Sequence, residues 1–290
     1  MRVEFTTVNG IPTRFYHEGD GYPVVLVHGA GLSADSWIRN VDALGQHFRV
    51  IAPDTLGHGF TGSGTYESGP PHPHIVEHLV ALIDQLGIDR FSIVGSSFGA
   101  LMAALTYFRL PQRVEKLVVI SSASAFNTED EARERQPNGY RNGLAAFSNP
   151  TLAACRKRLA NVFFDASKIP EELLAMQMTM YAMPGALESY ERRFKGMMDI
   201  EATRPHRIVN RIEQIKVPAL LLWGRQDPRG ILARAEEAAR RLPNGKLVVF
   251  DRCGHHPHME YPDAFNELVR QFIAEQPLAY AAPQLEFVKV

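Results

Sequence analysis

The apolar positions of the first 125 residues alternate between short continuous runs and helical spacing. Two strand-like segments, Val3 to Val8 and Thr13 to His17, flank Asn9-Gly10, a dipeptide typical of a hairpin. Residues 75–86 repeat apolar side chains at helical spacing. Continuous apolar runs, typical of strands buried on both faces, occupy residues 24–27, 48–52, 91–94 and 116–120. This alternation predicts an α/β fold with a mostly parallel central sheet flanked by helices.

The pattern changes near residue 126. Residues 126–211 contain no strand-like run, are broken by prolines and predict several short helices. Strand-like runs return at 217–223 and 246–250, with one helix between them and another after them. We therefore expect a core of residues 1–125 and 212–276, with a helical cap (lid), residues 126–211, inserted after the sixth strand.

The C-terminal tail, residues 277–290, follows the last predicted helix. Its end, residues 285–290, has a strand-like composition. One interpretation is a loosely ordered terminus, and the other is an arm that pairs with a partner subunit. The second interpretation makes a homodimer one of the expected states.

Charge and cysteine content narrow the range of partners. The 290 residues include 31 basic and 32 acidic side chains, so the net charge is −1 and nothing favours nucleic acid or a strongly charged substrate. The two cysteines form no disulfide or zinc framework. The N-terminus lacks a signal-peptide pattern, and no apolar stretch approaches the roughly 20 residues of a membrane span. We expect a cytoplasmic protein that acts on a small molecule, away from membranes.

The segment IVGSSFGA, residues 93–100, contains two adjacent serines between two glycines. It follows an apolar run and precedes an alanine-rich helical stretch, so it predicts a sharp strand-turn-helix bend with the pattern G-x-S-x-G. Such a bend requires small residues two positions before and after the nucleophile. Gly95 and Gly99 satisfy this requirement for Ser97, whereas Val94 and Phe98 would violate it for Ser96. Ser97 is therefore the predicted nucleophile, and Ser96 is expected to face inward.

A serine nucleophile needs a base, and the base needs an acid that orients it. Asp227 follows the 219–223 strand in WGRQDP, and His255 follows the 247–250 strand in CGHHPH, so both are expected at the carboxyl edge of the sheet. His256 is a less favoured alternative base. The backbone N–H groups of Phe98 and Ala30 are the predicted oxyanion donors.

Three further histidines, His72, His74 and His78, include an i, i+4 pair, but no carboxylate or cysteine nearby in sequence completes a metal site. We therefore expect these histidines to face solvent or to cap the helix rather than to bind a metal.

Five segments, VVLVHGAG, VIAPDTLGHGFTGS, IVGSSFGA, LLLWGRQDP and CGHHPHMEYP, stand in an order that resembles the α/β-hydrolase superfamily along nearly the whole chain. Within the superfamily the chain looks most like the hydrolases that split carbon–carbon bonds in the ring-cleavage (meta-cleavage) products of aromatic degradation. This resemblance implies the α/β-hydrolase fold, serine hydrolase chemistry and no cofactor. That group usually has Asn, Trp and a cap Arg where this chain has Ser96, His256 and Gln177.

The cap is rich in methionine and aromatic residues, which predicts a largely apolar substrate cavity. Arg192 and Arg193 are candidate anchors for a substrate carboxylate, and at least one of them is expected on a solvated helix face instead. We therefore expect hydrolysis of an ester or an activated carbon–carbon bond, with dienoates accepted only if one of these arginines reaches the cavity. The alternatives are a meta-cleavage product carbon–carbon hydrolase proper, which acts on a 2-hydroxy-6-oxo-dienoate, a plain carboxylesterase or lactonase, and a ligand receptor on the same fold. The candidate substrate-binding residues are Gly29, Ser96, Phe126, Met176, Gln177, Met180, Tyr181, Arg192, Arg193 and His256.

Overall fold

A central sheet of nine strands organises the part of the chain that the computed structural model describes, residues 1–288. The strand order is β1-β2-β4-β3-β5-β6-β7-β8-β9. Strands β3 to β8 run parallel to one another, whereas β1, β2 and β9 pair antiparallel with their neighbours. The mostly parallel sheet predicted from the apolar runs is confirmed. The strands are β1 (Arg2–Val8), β2 (Ile11–Glu18), β3 (Tyr22–Val27), β4 (Phe48–Pro53), β5 (Phe91–Ser96), β6 (Val114–Ile120), β7 (Ala219–Gly224), β8 (Gly245–Phe250) and β9 (Leu285–Val288).

Helices cover both faces of the sheet because the strand side chains alternate between two apolar clusters. On one face Ile93 and Val119 pack with side chains of α2 (His72–Gln85), α3 (Phe98–Arg109) and α10 (Leu232–Arg241). On the other face Val94 and Val118 pack with α1 (Val41–Gly45) and α12 (Pro262–Ile273). Among residues 1–288, no helix has the length and apolar character needed to cross a bilayer.

Six helices lie between β6 and β7, and we call them the helical insertion. Four of them share an apolar cluster, which includes Leu173, Leu174 and Tyr190. The insertion follows the sixth strand, as predicted. The helices are α4 (Ala123–Phe126), α5 (Glu129–Ser148), α6 (Leu152–Ala160), α7 (Glu171–Tyr181), α8 (Ala186–Met198) and α9 (Ile200–Thr203); the short α11 (Pro257–Glu260) follows β8.

One helix of the insertion is longer than its proline pattern predicts. Helix α5 runs for 20 residues and contains Pro137 in its interior. It begins with a capping box, in which the Thr128 hydroxyl accepts from the Glu131 N–H and the Glu131 carboxylate accepts from the Thr128 N–H. This cap and the packing of α5 against α8 outweigh the local cost of the proline.

The strand-like end of the C-terminal tail pairs within its own chain, which neither interpretation from the sequence predicted. Residues Leu285–Val288 form β9, which pairs antiparallel with β8 of the same chain, from Leu247↔Val288 to Phe250↔Leu285. Arg225 and Glu286 form an ion pair across this edge. Residues 285–288 are therefore neither loose nor free to pair with another subunit through this edge, because they hydrogen-bond to the open edge of β8; residues 289 and 290 lie outside the described residues.

Candidate active site

Ser97 lies at the bend between β5 and α3, with a positive φ of 55°. A Cβ at Gly95 would overlap the backbone of Gly99 and Ala100, and a Cβ at Gly99 would overlap the carbonyls of Val27 and His28. Both flanking positions therefore require glycine, for reasons of space. A non-glycine residue held at positive φ is strained, and such strain is common where a side chain is presented for chemistry.

Ser96 points the other way. Its side chain is fully buried, and its Oγ has no hydrogen-bond partner within residues 1–288. It therefore packs under the bend, as the glycine spacing predicts for the serine that is not presented.

His255 and Asp227 meet at the carboxyl edge of the sheet, after β8 and β7. The His255 Nδ1 lies 2.9 Å from both carboxylate oxygens of Asp227. Asp227 Oδ1 also accepts the Arg229 N–H at 2.8 Å. A proton on Nδ1 is shared with the carboxylate, so Nε2 is left as the acceptor. His255 and Ser97 line the same cavity, which is the arrangement a serine nucleophile and its base require.

The loop after β3 packs directly against Ser97. A Cβ at Gly29 would lie 3.2 Å from the Ser97 Cβ, so the backbone approaches the serine closely. His28 holds the loop: its Nε2 accepts the Thr55 N–H at 3.0 Å, and its Nδ1 donates to Gly29 O at 2.8 Å. Burial lowers the pKa of His28, which keeps the ring neutral in this role. Ala30 and Phe98, the predicted oxyanion donors, both line the cavity.

Glu260 ties the His255 loop to the helical insertion. Its Oε1 accepts the Gly254 N–H at 2.8 Å, and its Oε2 accepts the Phe164 N–H at 2.9 Å. The His255 N–H adds a third link, to Val162 O at 2.7 Å. Burial raises the pKa of the Glu260 carboxyl. Glu260 is a site residue that the sequence did not predict, because the two N–H groups it accepts, those of Gly254 and Phe164, come together only in the folded chain.

A cavity of about 140 Å³ opens above Ser97 and His255, a volume close to that of a cavity known to accept benzene. Three arginines line it: Arg135 from α5, Arg158 from α6 and Arg229 from the loop after Asp227. Within residues 1–288 none of the three forms an ion pair with a carboxylate. The rest of the wall is largely apolar and includes Leu32, Phe98, Leu159, Val162, Phe194 and Met197. The cavity is therefore more cationic than the sequence predicts.

Two of the predicted substrate-binding residues, Gly29 and His256, line this cavity. His256 is buried, its Nδ1 has no hydrogen-bond partner among the described residues, and burial holds its pKa well below the ordinary value. Within residues 1–288 no carboxylate orients it as Asp227 orients His255. The arrangement favours His255 as the base.

The structure places the remaining predicted substrate contacts elsewhere, which corrects those expectations. Along α8, Phe194 and Met197 turn toward the Ser97 cavity, whereas Arg193 lines a second cavity and Arg192 an outer groove. One residue turns a helix by about 100°, so the adjacent arginines cannot follow Phe194. The second cavity is lined by Met180 and Tyr181. Three further residues are buried outside both cavities: Ser96, Phe126 and Gln177. Met176 packs against the apolar cluster of the insertion.

The chain is similar to known hydrolases over most of its length. A family profile of the alpha/beta hydrolase fold matches residues 22–262. A 2-hydroxy-6-oxo-2,4-heptadienoate hydrolase from Pseudomonas putida strain F1 is 31% identical over 278 residues, which cover 92% of this chain and 94% of that protein. A 2-hydroxymuconate semialdehyde hydrolase from Pseudomonas putida is 30% identical over 276 residues, with 92% of both chains covered.

Solved structures of similar enzymes share the fold. The meta-cleavage product hydrolase CumD from Pseudomonas fluorescens IP01, complexed with acetates, has 28% identity and a TM-score of 0.76, with 94% of this chain and 97% of that chain covered. The 2-hydroxy-6-oxo-6-phenylhexa-2,4-dienoate hydrolase from Rhodococcus sp. strain RHA1 has 25% identity and a TM-score of 0.79, with 94% and 100% covered. The chain therefore belongs to the α/β hydrolase fold family and is a hydrolase, similar within that family to the meta-cleavage product hydrolases.

Proposed function

We propose that this hydrolase splits the carbon–carbon bond beside the 6-oxo group of a 2-hydroxy-6-oxo-dienoate, in the degradation of aromatic compounds. The observation that carries the proposal is the set of three guanidinium groups, Arg135, Arg158 and Arg229, around the cavity that holds Ser97 and His255. Within residues 1–288 none of the three pairs with a carboxylate, so the cavity favours an anionic substrate, and a dienoate carries a carboxylate. The names of the relatives point to the same substrate class.

In this proposal Ser97, His255 and Asp227 form the catalytic triad. Ser97 Oγ attacks the 6-oxo carbon while His255 Nε2 accepts its proton, and the Asp227 carboxylate stabilises the imidazolium. The N–H groups of Ala30 and Phe98 hold the negative charge that develops on the former ketone oxygen. The bend at Ser97, the cavity it shares with His255 and the contact between His255 and Asp227 support these roles.

A carbon leaving group needs a place for the bonding electron pair. After the 2-hydroxy group ketonises, the pair released from the broken bond spreads over a conjugated enolate, and His255 returns its proton to that fragment. Water activated by His255 then hydrolyses the ester on Ser97 and releases a carboxylic acid. One water molecule is consumed, and the arginines hold the carboxylate of the fragment on which the negative charge develops.

The test separates Arg158 from a matched neighbour on the same helix. Arg158 is buried and lines the cavity, whereas Arg156 is exposed and pairs with Glu171 at 2.6 Å. We expect Arg158→Gln to lower kcat/KM for a 2-hydroxy-6-oxo-dienoate by about 10- to 100-fold, because a hydrogen bond to a charged group contributes ~1.5–3 kcal/mol. Turnover of p-nitrophenyl acetate should fall far less, and Arg156→Gln should leave both rates unchanged.

A contrary result would favour the carboxylesterase alternative. If p-nitrophenyl esters are preferred by several orders of magnitude, or if neither Arg158→Gln nor Arg229→Gln changes the dienoate rate, the substrate assignment is wrong. A cytoplasmic location and a homodimer stay predictions, to be checked by cell fractionation and by light scattering of the purified protein.

A further inference from the structure

A second cavity, of about 240 Å³, lies between the helical insertion and the loop after β4. One side is the glycine-rich segment 57–63, and the other is residues 180–189 with Arg193. Only Leu32 lines both this cavity and the one at Ser97. Between the two cavities, the Tyr181 hydroxyl donates to Gly31 O at 2.7 Å and accepts from Arg158 Nη1. The second cavity is thus a separate compartment.

Arg193 is the unusual residue of this compartment. Its side chain is 4% exposed, and within residues 1–288 no Asp or Glu oxygen lies within ion-pair distance of it. Its one hydrogen bond in this part of the chain runs from Nη1 to Ser189 Oγ. A guanidinium carries five N–H donors, so most of them lack a protein acceptor. A buried cation without a counterion destabilises the folded protein, and an anion entering the cavity would offset that cost.

The surroundings of Arg193 are positive or neutral. His58 lines the cavity, but burial and the nearby Arg193 hold its pKa well below the ordinary value, so the ring is neutral. Asp54, behind Gly59, is already paired with Arg14 at 2.7 Å and with the Phe60 N–H at 2.8 Å. No negative charge of the wall competes with an incoming anion.

The shape and chemistry of the wall select the kind of anion. Ser63 Oγ and Ser189 Oγ lie 3.0 Å apart beside Arg193, and both can donate to an oxygen anion. A Cβ at Gly57 would lie 2.7 Å from Arg193 Nη1, so the guanidinium rests directly on the loop backbone. Phe60, Phe147 and Met180 supply an apolar wall beside this polar end. A planar carboxylate matches a guanidinium, and the apolar wall fits a hydrocarbon body.

We propose that the second cavity binds a small organic carboxylate, with its carboxylate on Arg193, Ser63 and Ser189 and its apolar part against Phe60, Phe147 and Met180. The site lies apart from the triad and does not depend on the proposed substrate. The wall of the second cavity includes Tyr181 and Gly31, and Gly31 directly follows Ala30 in the chain. A bound carboxylate would therefore contact the loop that carries the predicted oxyanion donor, the Ala30 N–H.

The test uses benzoate as the probe and compares two neighbouring arginines. The measurement is the number of benzoate molecules bound per protein molecule, obtained by isothermal titration calorimetry. Arg193→Met should bind one fewer than the wild-type protein, and Arg192→Met should bind as many as the wild-type protein. Counting equivalents keeps the result independent of any benzoate bound near Ser97. An unchanged stoichiometry in Arg193→Met would overturn the proposal.

Thermal unfolding separates a ligand site from a purely structural role. Without benzoate, Arg193→Met should unfold at the same temperature as wild type or higher, because it removes an unpaired buried charge. A lower unfolding temperature would indicate that Arg193 supports the fold and would count against the site. Ala186→Leu, which narrows the cavity but keeps Arg193, should also lose one equivalent. Inorganic phosphate should bind more weakly than benzoate, and tighter phosphate binding would contradict the carboxylate assignment.

Discussion

At the scale of single residues, two neighbouring serines have opposite environments. Ser97 lines the cavity at a positive φ, whereas Ser96 is fully buried with an Oγ that finds no hydrogen-bond partner in residues 1–288. The difference arises from Gly95 and Gly99, which let the backbone turn where any side chain would overlap it. The bend, rather than the hydroxyl itself, decides which serine can react.

This contrast predicts different outcomes for the two alanine variants. Ser97→Ala should lower kcat by about 10³-fold or more, since members of a triad act as a unit. Ser96→Ala should keep most of the activity and a similar unfolding free energy, because it removes a buried hydroxyl that forms no hydrogen bond. Rates on one substrate and urea unfolding of both variants check this. An inactive, folded Ser96→Ala protein would show that the nucleophile is misassigned.

At the scale of elements, loops after parallel strands are joined to the helical insertion by buried polar contacts. Glu260, at the end of α11, accepts N–H groups from Gly254, beside His255, and from Phe164, in the insertion. The position of His255 therefore depends on contacts outside the triad, and these contacts include an ionisable group with a shifted pKa.

The raised pKa of Glu260 predicts how stability changes with pH. The folded protein keeps the Glu260 proton over a pH range in which the unfolded chain has lost it, so this contribution to the unfolding free energy is fully present below the ordinary pKa of 4.5. It is lost as the pH rises through the folded pKa. Glu260→Gln removes the titration. The measurement is the difference in unfolding free energy, wild type minus Glu260→Gln, obtained from urea unfolding at several pH values. This difference should fall as the pH rises, and a constant or rising difference would contradict the raised pKa of Glu260.

At the scale of the whole molecule, charge is nearly balanced but unevenly placed. The net charge is −1, yet three arginines without ion-pair partners among residues 1–288 surround the Ser97 cavity, and Arg193 lies alone in the second one. Attraction of the proposed anionic substrate would therefore come from the local field of the cavity and not from the net charge of the protein.

This placement predicts a salt effect that depends on the substrate. Raising NaCl from about 0.05 to 0.5 M should lower kcat/KM for a dienoate several-fold, because the Debye length shortens and screens the arginines. The neutral p-nitrophenyl acetate should show little change and serves as the control. Equal salt effects on both substrates would indicate that the arginines do not attract the carboxylate.

The sequence by itself determined the features that depend on local spacing. The apolar runs give the parallel strands, the glycines around Ser97 give the bend, and strand ends place Asp227 and His255 at one edge of the sheet, because residues after parallel strands share that edge. The long segment without strand-like runs gives the helical insertion. Each inference needs only the chain near the residue concerned.

The tertiary structure alone decided which side chains share a cavity. From the sequence, Arg158 and Arg193 could equally lie on solvent-exposed faces of their helices. The packing of the insertion on the core instead places Arg158 in the Ser97 cavity and Arg193 in the second cavity. The strand β9 likewise paired with β8 because that edge was open, which the tail composition does not reveal. These outcomes depend on the rotation of whole helices and on free sheet edges, and both are set by contacts between residues far apart in the chain.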